Sequence, residues 1–214
     1  MKVIAFNGSP RKQWNTATLL GKALEGAKSR GAETELIHLY ELNYKGCISC
    51  FACKTKDGSS YGKCAVKDDL TPVFAKVEEA DALLFGSPVY LGSITGQMHS
   101  FLERLVFQYL TYTDPPASLC PKKMKTGFIY TMGVTEEMFS QMQYSHFMDL
   151  ISMFLIRVFG HSESLCSFDT LQFDDYSKYV TTRFDPVKKA QRRKEVFPLD
   201  CRKAFELGAK LAEK

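Results

Sequence analysis

Four cysteines fall within eighteen residues of this chain, at Cys47, Cys50, Cys53 and Cys64, in the stretch GCISCFACKTKDGSSYGKC. The first three are spaced C-x-x-C-x-x-C, as in ferredoxin-type loops whose successive thiolates wrap one cubane cluster. A fourth ligand is then required. Cys64 is the nearest, across ten residues, KTKDGSSYGK, whose glycines and serines let the chain double back. Two other readings stand beside a [4Fe–4S] cluster: idle or redox-labile thiols, and a structural zinc, although zinc usually recruits two separated cysteine pairs. Cys120, Cys166 and Cys201 stand alone in apolar or mixed surroundings and read as packing residues.

A second set of residues suits an anionic, planar ligand. After the first apolar run comes Asn7-Gly8-Ser9-Pro10-Arg11-Lys12-Gln13-Trp14-Asn15-Thr16. Gly8 permits a close turn, Ser9, Asn15, Thr16 and Thr18 are short donors, and Arg11 brings a fixed positive charge. The helix expected to follow points free amides at this loop, an arrangement that binds phosphate. Neither G-x-G-x-x-G nor G-x-x-x-x-G-K-[ST] is present, so a dinucleotide fingerprint and a Walker loop are both absent. A later loop, Gly86-Ser87-Pro88-Val89-Tyr90-Leu91-Gly92-Ser93, combines a stiffening proline, small residues and one aromatic face. Its amides suit the edge of a heterocycle and Tyr90 suits its plane. The alternative is an ordinary turn with one packed tyrosine. Thr131-Met132-Gly133 is a third, weaker candidate.

The elements that must position these loops alternate. Strands are expected at Lys2–Phe6, Glu33–Leu39, Ala82–Phe85, Thr126–Thr131 and Ser164–Phe173. Helices are expected at about 16–30, 68–80 and 95–109, with one long helix over 136–159 and a charged helical end. Strands alternating with helices of this length imply a parallel sheet covered on both faces and joined by right-handed crossovers. Ligands in such folds sit outside the carboxyl ends of the strands, where the three loops fall. The 214 residues suit a single domain, 1–214, with a cysteine-rich insertion at about 46–64 and a helical extension at about 184–214.

Composition narrows the function classes. Apolar residues make up 45% and charged residues 24%, ordinary for a globular protein, and a net charge of +4 gives no reason to expect nucleic acid. The basic run Lys188–Lys194 reads as a solvated helix face. No secretory leader is visible at MKVIAF, and the longest apolar stretch, Phe147–Phe159, is broken by Asp149 and Arg157, so no membrane partner is expected. A cytoplasmic, reducing location follows, in which seven cysteines point away from structural disulfides. No catalytic triad, paired carboxylates or C-x-x-x-x-x-R pattern is present, and no catalytic side chain is assigned.

The motifs GSPRK-x-x-NT, FGSPVYxGS and C-x-x-C-x-x-C together resemble the flavodoxin-fold NAD(P)H-dependent FMN reductases, and within them the iron–sulfur flavoproteins. The resemblance covers roughly residues 1–105 and, beyond them, Thr131–Gly133. It implies a flavodoxin-like three-layer α/β/α sandwich with a five-stranded parallel sheet. It places the FMN phosphate at Ser9, Arg11, Asn15, Thr16 and Ala17, and the ring at Pro88, Val89, Tyr90, Leu91 and Gly92, with Thr131 and Gly133 at its other edge. It implies a cluster on Cys47, Cys50, Cys53 and Cys64, although the gap before Cys64 is longer than in such relatives. Trp14 also departs from the pattern, standing where relatives have a small residue; a positive φ there would strain a tryptophan.

The expected activity is FMN-dependent oxidoreduction, with electrons from NAD(P)H or another donor passed to a flavin, quinone or similar acceptor. An electron-transfer flavoprotein exchanging single electrons with a ferredoxin-like partner is the alternative, and a zinc-stabilised binding module the third. The apolar helices 95–109 and 136–159 suit a homodimer or homotetramer.

Overall fold

The computed structural model describes residues 1–213. Five strands run parallel: β1 (Lys2–Asn7), β2 (Glu33–His38), β3 (Ala82–Tyr90), β5 (Lys125–Thr131) and β6 (Glu163–Ser167). Their order is β2-β1-β3-β5-β6, the flavodoxin-type order with a switch point between β1 and β3. A two-residue strand, β4 (Ser93–Ile94), pairs antiparallel with the end of β3.

Period-two alternation splits each strand between two cores. Ile4, Phe6, Leu83, Phe85, Phe128 and Tyr130 face one side. There they meet α2 (Leu70–Glu79), α3 (Gly96–Tyr109) and α5 (Ser145–Phe159). Val3, Ala5, Ala82, Leu84 and Ile129 face the other, under α1 (Asn15–Ser29) and α7 (Phe197–Leu211). Strands buried on both faces read as continuous apolar runs for this reason. The α1–α7 contact depends on glycine: a Cβ on Gly208 would lie 1.7 Å from the Ala23 carbonyl oxygen.

Three expectations are corrected. The helix expected over 136–159 is two, α4 (Glu136–Gln141) and α5, because the chain turns through Gln143 at φ +54. The last strand ends at Ser167 rather than Phe173; Asp169, at φ +48, diverts the chain across the carboxyl edge of the sheet. The basic run on α6 (Pro186–Glu195) is not a solvated face throughout. Lys189 is buried against Asp169, Arg192 pairs with Asp200, and Arg193 reaches Asn15. Among the described residues no helix is long and apolar enough to cross a membrane.

Candidate functional site

In-register pairing aligns the carboxyl ends of the strands: Asn7 lies opposite Gly86, Pro88 opposite Thr131, and Thr131 opposite Ser167. The three sequence-selected loops therefore leave the sheet side by side. Gly8 donates its amide to the Gly86 carbonyl at 2.7 Å, and Thr95 donates its hydroxyl to the Gly8 carbonyl at 2.7 Å. The Thr16 and Thr131 hydroxyls meet at 2.8 Å, joining the first loop to the third.

The first loop is wound by its own side chains. The Ser9 amide donates to Asn7 Oδ1, and the Arg11 amide donates to Ser9 Oγ. Ser9, Asn15, Thr16 and Ala17 are buried. No side chain caps α1 at Trp14, so its first turn presents backbone amides to the crevice, as an anion site requires. Trp14 sits at φ −115, extended backbone that any residue adopts, so its bulk strains nothing. Its ring lies 3.9 Å beneath the Arg11 guanidinium. Arg11 donates to the Gln172 carbonyl at 2.6 Å, while Trp14 Nε1 and Asn15 Nδ2 both donate to the Leu171 carbonyl. The side-chain donors of Arg11 and Asn15 are thus partly spent on the 171–172 segment. An anion here would meet the α1 amides first.

The second loop is a hairpin. Val89 pairs with Ile94 and Tyr90 with Ser93, around a two-residue turn in which Leu91 (φ +51) and Gly92 (φ +80) are both left-handed. This turn suits the strand twist but favours Asn-Gly over Leu-Gly. Leu91 is fully exposed and Tyr90 is 48% exposed, so both offer surface to a ligand. Burial of its polar end, then Tyr40, push the Tyr90 phenol above its ordinary value, with Arg11 opposing. A Cβ on Gly92 would approach the Tyr144 ring to 3.2 Å. The break between α4 and α5 therefore delivers Tyr144 to the hairpin. At the third loop, Lys189 donates to the Gly133 carbonyl at 2.6 Å and pairs with Asp169.

The cysteine segment lies along α3. Cys47, Cys50, Cys53 and Cys64 are all free thiols and line one cavity of about 20 Å³, with Cys47 and Cys50 on its exposed side. Ser49 and Phe51 adopt left-handed backbone (φ +54 and +55), a feature of anion-binding loops, iron–sulfur sites among them. The fully buried Arg104 donates through Nε to Cys64 Sγ at 3.4 Å. Burial would lower the affinity of Arg104 for its proton, but Asp68 and Cys64 outweigh it and the net shift is upward. Burial also pushes the Cys53 thiol up, against the opposing pull of Lys54. Among the described residues no three His, Cys, Asp or Glu side chains converge closely enough to hold one metal ion. A cubane cluster asks for something else, since each thiolate ligates a different iron. Four cysteines lining one cavity match the donor count of such a cluster, with Cys47 and Cys50 toward solvent and Cys53 and Cys64 inward.

Leu171, Gln172, Tyr144, Lys189 and Arg193 were not singled out from the sequence. Two act through backbone carbonyls, which carry no residue signature. Tyr144 comes from a segment remote in sequence with no motif of its own, and Lys189 and Arg193 lie in the basic run that reads as a solvated face.

Known proteins agree with this architecture. An iron–sulfur flavoprotein from Methanocaldococcus jannaschii is 39% identical over 104 residues, covering 49% of this chain and 51% of that protein. The chain spans about half the length of the curated relatives it matches. Among solved structures, an NAD(P)H:quinone oxidoreductase from Methanothermobacter marburgensis superposes with a TM-score of 0.70 at 16% identity, over 99% of this chain and 98% of that one. An FMN-dependent NADH-azoreductase from Bacillus anthracis, solved in complex with FMN, gives 0.64 at 12% identity over the whole of both chains. These two likenesses establish the fold. A model of the NADPH-dependent FMN reductase family matches residues 1–157, and with the strand order and loop placement above, the chain belongs to that family.

Proposed function

We propose that this protein is an FMN-dependent oxidoreductase, passing electrons from NAD(P)H or a reduced partner to a flavin, quinone or similar small acceptor. The observation that carries the reading is the tied crevice: three loops at the carboxyl ends of β1, β3 and β5, joined by the Gly8–Gly86, Thr95–Gly8 and Thr16–Thr131 hydrogen bonds, beside an uncapped helix start. The α1 amides, with Ser9, Arg11, Asn15, Thr16 and Ala17, would hold the FMN phosphate. Pro88, Val89, Tyr90, Leu91 and Gly92 would hold the ring, with Thr131 and Gly133 at its far edge. Bound FMN supplies two-electron hydride acceptance and single-electron release. The protein positions it and excludes water from one face.

The four cysteines lining one cavity favour a second reading of the same chain. Cys47, Cys50, Cys53 and Cys64 would ligate a [4Fe–4S] cluster, as the M. jannaschii relative's name suggests. Single-electron exchange with a ferredoxin-like protein then becomes the traffic. We treat residues 1–214 as one domain, placed in the cytoplasm, where seven free thiols persist. The exposed Leu150, Met153, Phe154 and Ile156 on α5 support a homodimer or homotetramer.

An ultraviolet–visible spectrum of protein purified without oxygen, with iron and sulfide assayed on the same sample, tests these readings. Flavin bands with about four irons per chain support the electron-transfer flavoprotein. Flavin bands without iron support a simple reductase with idle thiols. A protein that neither carries FMN nor takes it up is not an FMN oxidoreductase.

A further inference from the structure

We propose that Arg104 is the positioning residue of the cysteine centre, holding Cys64 in register with Cys47, Cys50 and Cys53 and donating to its sulfur so as to raise the reduction potential of the cluster. The inference rests on the cluster reading above.

All five guanidinium donors are used. Nε alone addresses sulfur, at 3.4 Å from Cys64. One terminal nitrogen donates to the Lys45 carbonyl at 3.2 Å and to Asp68; the other donates to the Val66 carbonyl at 3.2 Å and to Asp68 at 3.1 Å. Four bonds therefore aim the fifth. They also close the loop, because Lys45 precedes the first cysteine and Val66 follows the last. Burying a guanidinium is expensive unless it is fully paired. An apolar residue would serve if α3 needed only to pack against Phe74.

Neighbouring turns of α3 hold the other arms. Glu103 accepts the Cys47 amide at 3.0 Å, and Gln108 accepts the Cys64 amide at 2.9 Å. Lys54, next to Cys53, donates to the Gln108 carbonyl at 3.1 Å and lies 4.8 Å over the Phe107 ring. Residues 103, 104, 107 and 108 recur at helical spacing, so one face of α3 organises the whole segment across its ten-residue gap. A cationic donor on a ligating sulfur favours the more negative, reduced cluster, and hydrogen bonds to sulfur are among the determinants of cluster potential.

The test uses the whole chain, with R104Q, R104K and D68N reconstituted anaerobically with FMN, ferrous iron and sulfide. Bound iron, FMN occupancy and midpoint potential are then read on each. R104Q should bind iron at least about tenfold more weakly at unchanged FMN occupancy, within the range for lost second-layer contacts at metal sites. R104K keeps a charge that Asp68 can pair but lacks the planar fork. It should retain iron within about twofold of the unmodified chain at a lower midpoint potential. D68N, which frees the guanidinium, should fall between them in iron content.

Unchanged iron and potential in R104Q would overturn the inference. If R104Q loses FMN as well, and so has not folded, an unchanged potential in R104K overturns it instead. If the unmodified chain takes up FMN but no iron, the cluster reading falls and this inference with it. A null result in the variants alone leaves the cluster reading standing.

Discussion

Arg193 donates from Nη1 to Asn15 Oδ1 at 2.8 Å, joining residues 178 positions apart. Its guanidinium also lies 3.9 Å over the Phe197 ring. The α6–α7 corner is therefore built into the first loop, where Asn15 opens α1. Arg193→Gln should loosen that loop. The expected loss is ~1.5 kcal/mol, the low end for a hydrogen bond from a charged donor, or about tenfold in FMN affinity. Fluorescence titration with FMN measures it, and an unchanged dissociation constant would make the corner a bystander.

Lys189 is buried, pairs with Asp169 and holds the Gly133 carbonyl, so it clamps the third loop to the segment after β6. Lys189→Met leaves the Asp169 carboxylate without its partner. The expected cost is ~2–3 kcal/mol, below the usual range for a buried pair because Asp169 is partly exposed. Adding Asp169→Asn should restore half or more of that loss in urea melts. Strict additivity of the two substitutions would show that the ions do not interact.

Leu91 holds left-handed backbone with its side chain in solvent. Among the described residues no core receives that side chain; Leu91→Asn should stabilise the hairpin by ~1 kcal/mol. If Leu91 covers the flavin ring, the same substitution weakens FMN binding about threefold or more, the loss of one apolar contact. Higher stability at unchanged affinity would remove Leu91 from the ring site.

Burial pushes the Cys166 thiol up to about 11, with a small further push from Glu136. The folded protein then keeps a proton that the unfolded chain releases near its ordinary thiol value. The stabilisation is fully present below that value and is lost as pH rises toward 11. Urea stability should decline by ~3 kcal/mol across that window on account of this thiol. Cys166→Val should flatten the decline, leaving the share due to Cys53, Cys120 and Cys201, whose thiols burial also raises, and to the buried Tyr44, Tyr109 and Tyr130, whose phenols it raises too. An identical slope in Cys166→Val would show that the thiol does not contribute.

The fold was legible because its signals are local. The central strands β1, β3 and β5 read as apolar runs, since both of their faces are buried, and α1, α2 and α3 start within two residues of their expected places. The misplaced elements mark where local signals stop. Glu136–Phe159 carries helical periodicity through Met142–Tyr144, yet the chain turns there to bring Tyr144 against Gly92. Ser164–Phe173 keeps strand-like residues past Ser167, but residues 168–172 leave the sheet to supply carbonyls to Arg11, Trp14 and Asn15.

Residue type and spacing were enough to place three candidate loops at the carboxyl ends of β1, β3 and β5, and to mark four cysteines as a group, because glycine, proline and cysteine carry backbone and ligand chemistry wherever they stand. How those groups are held was not written in any local pattern. Lys189, Arg193 and Arg104 look alike in sequence to solvated cations. Each is inward only because folding brings a carboxylate, a carbonyl or a sulfur from a distant segment to meet it. A buried charge needs such partners, and long-range packing alone supplies them.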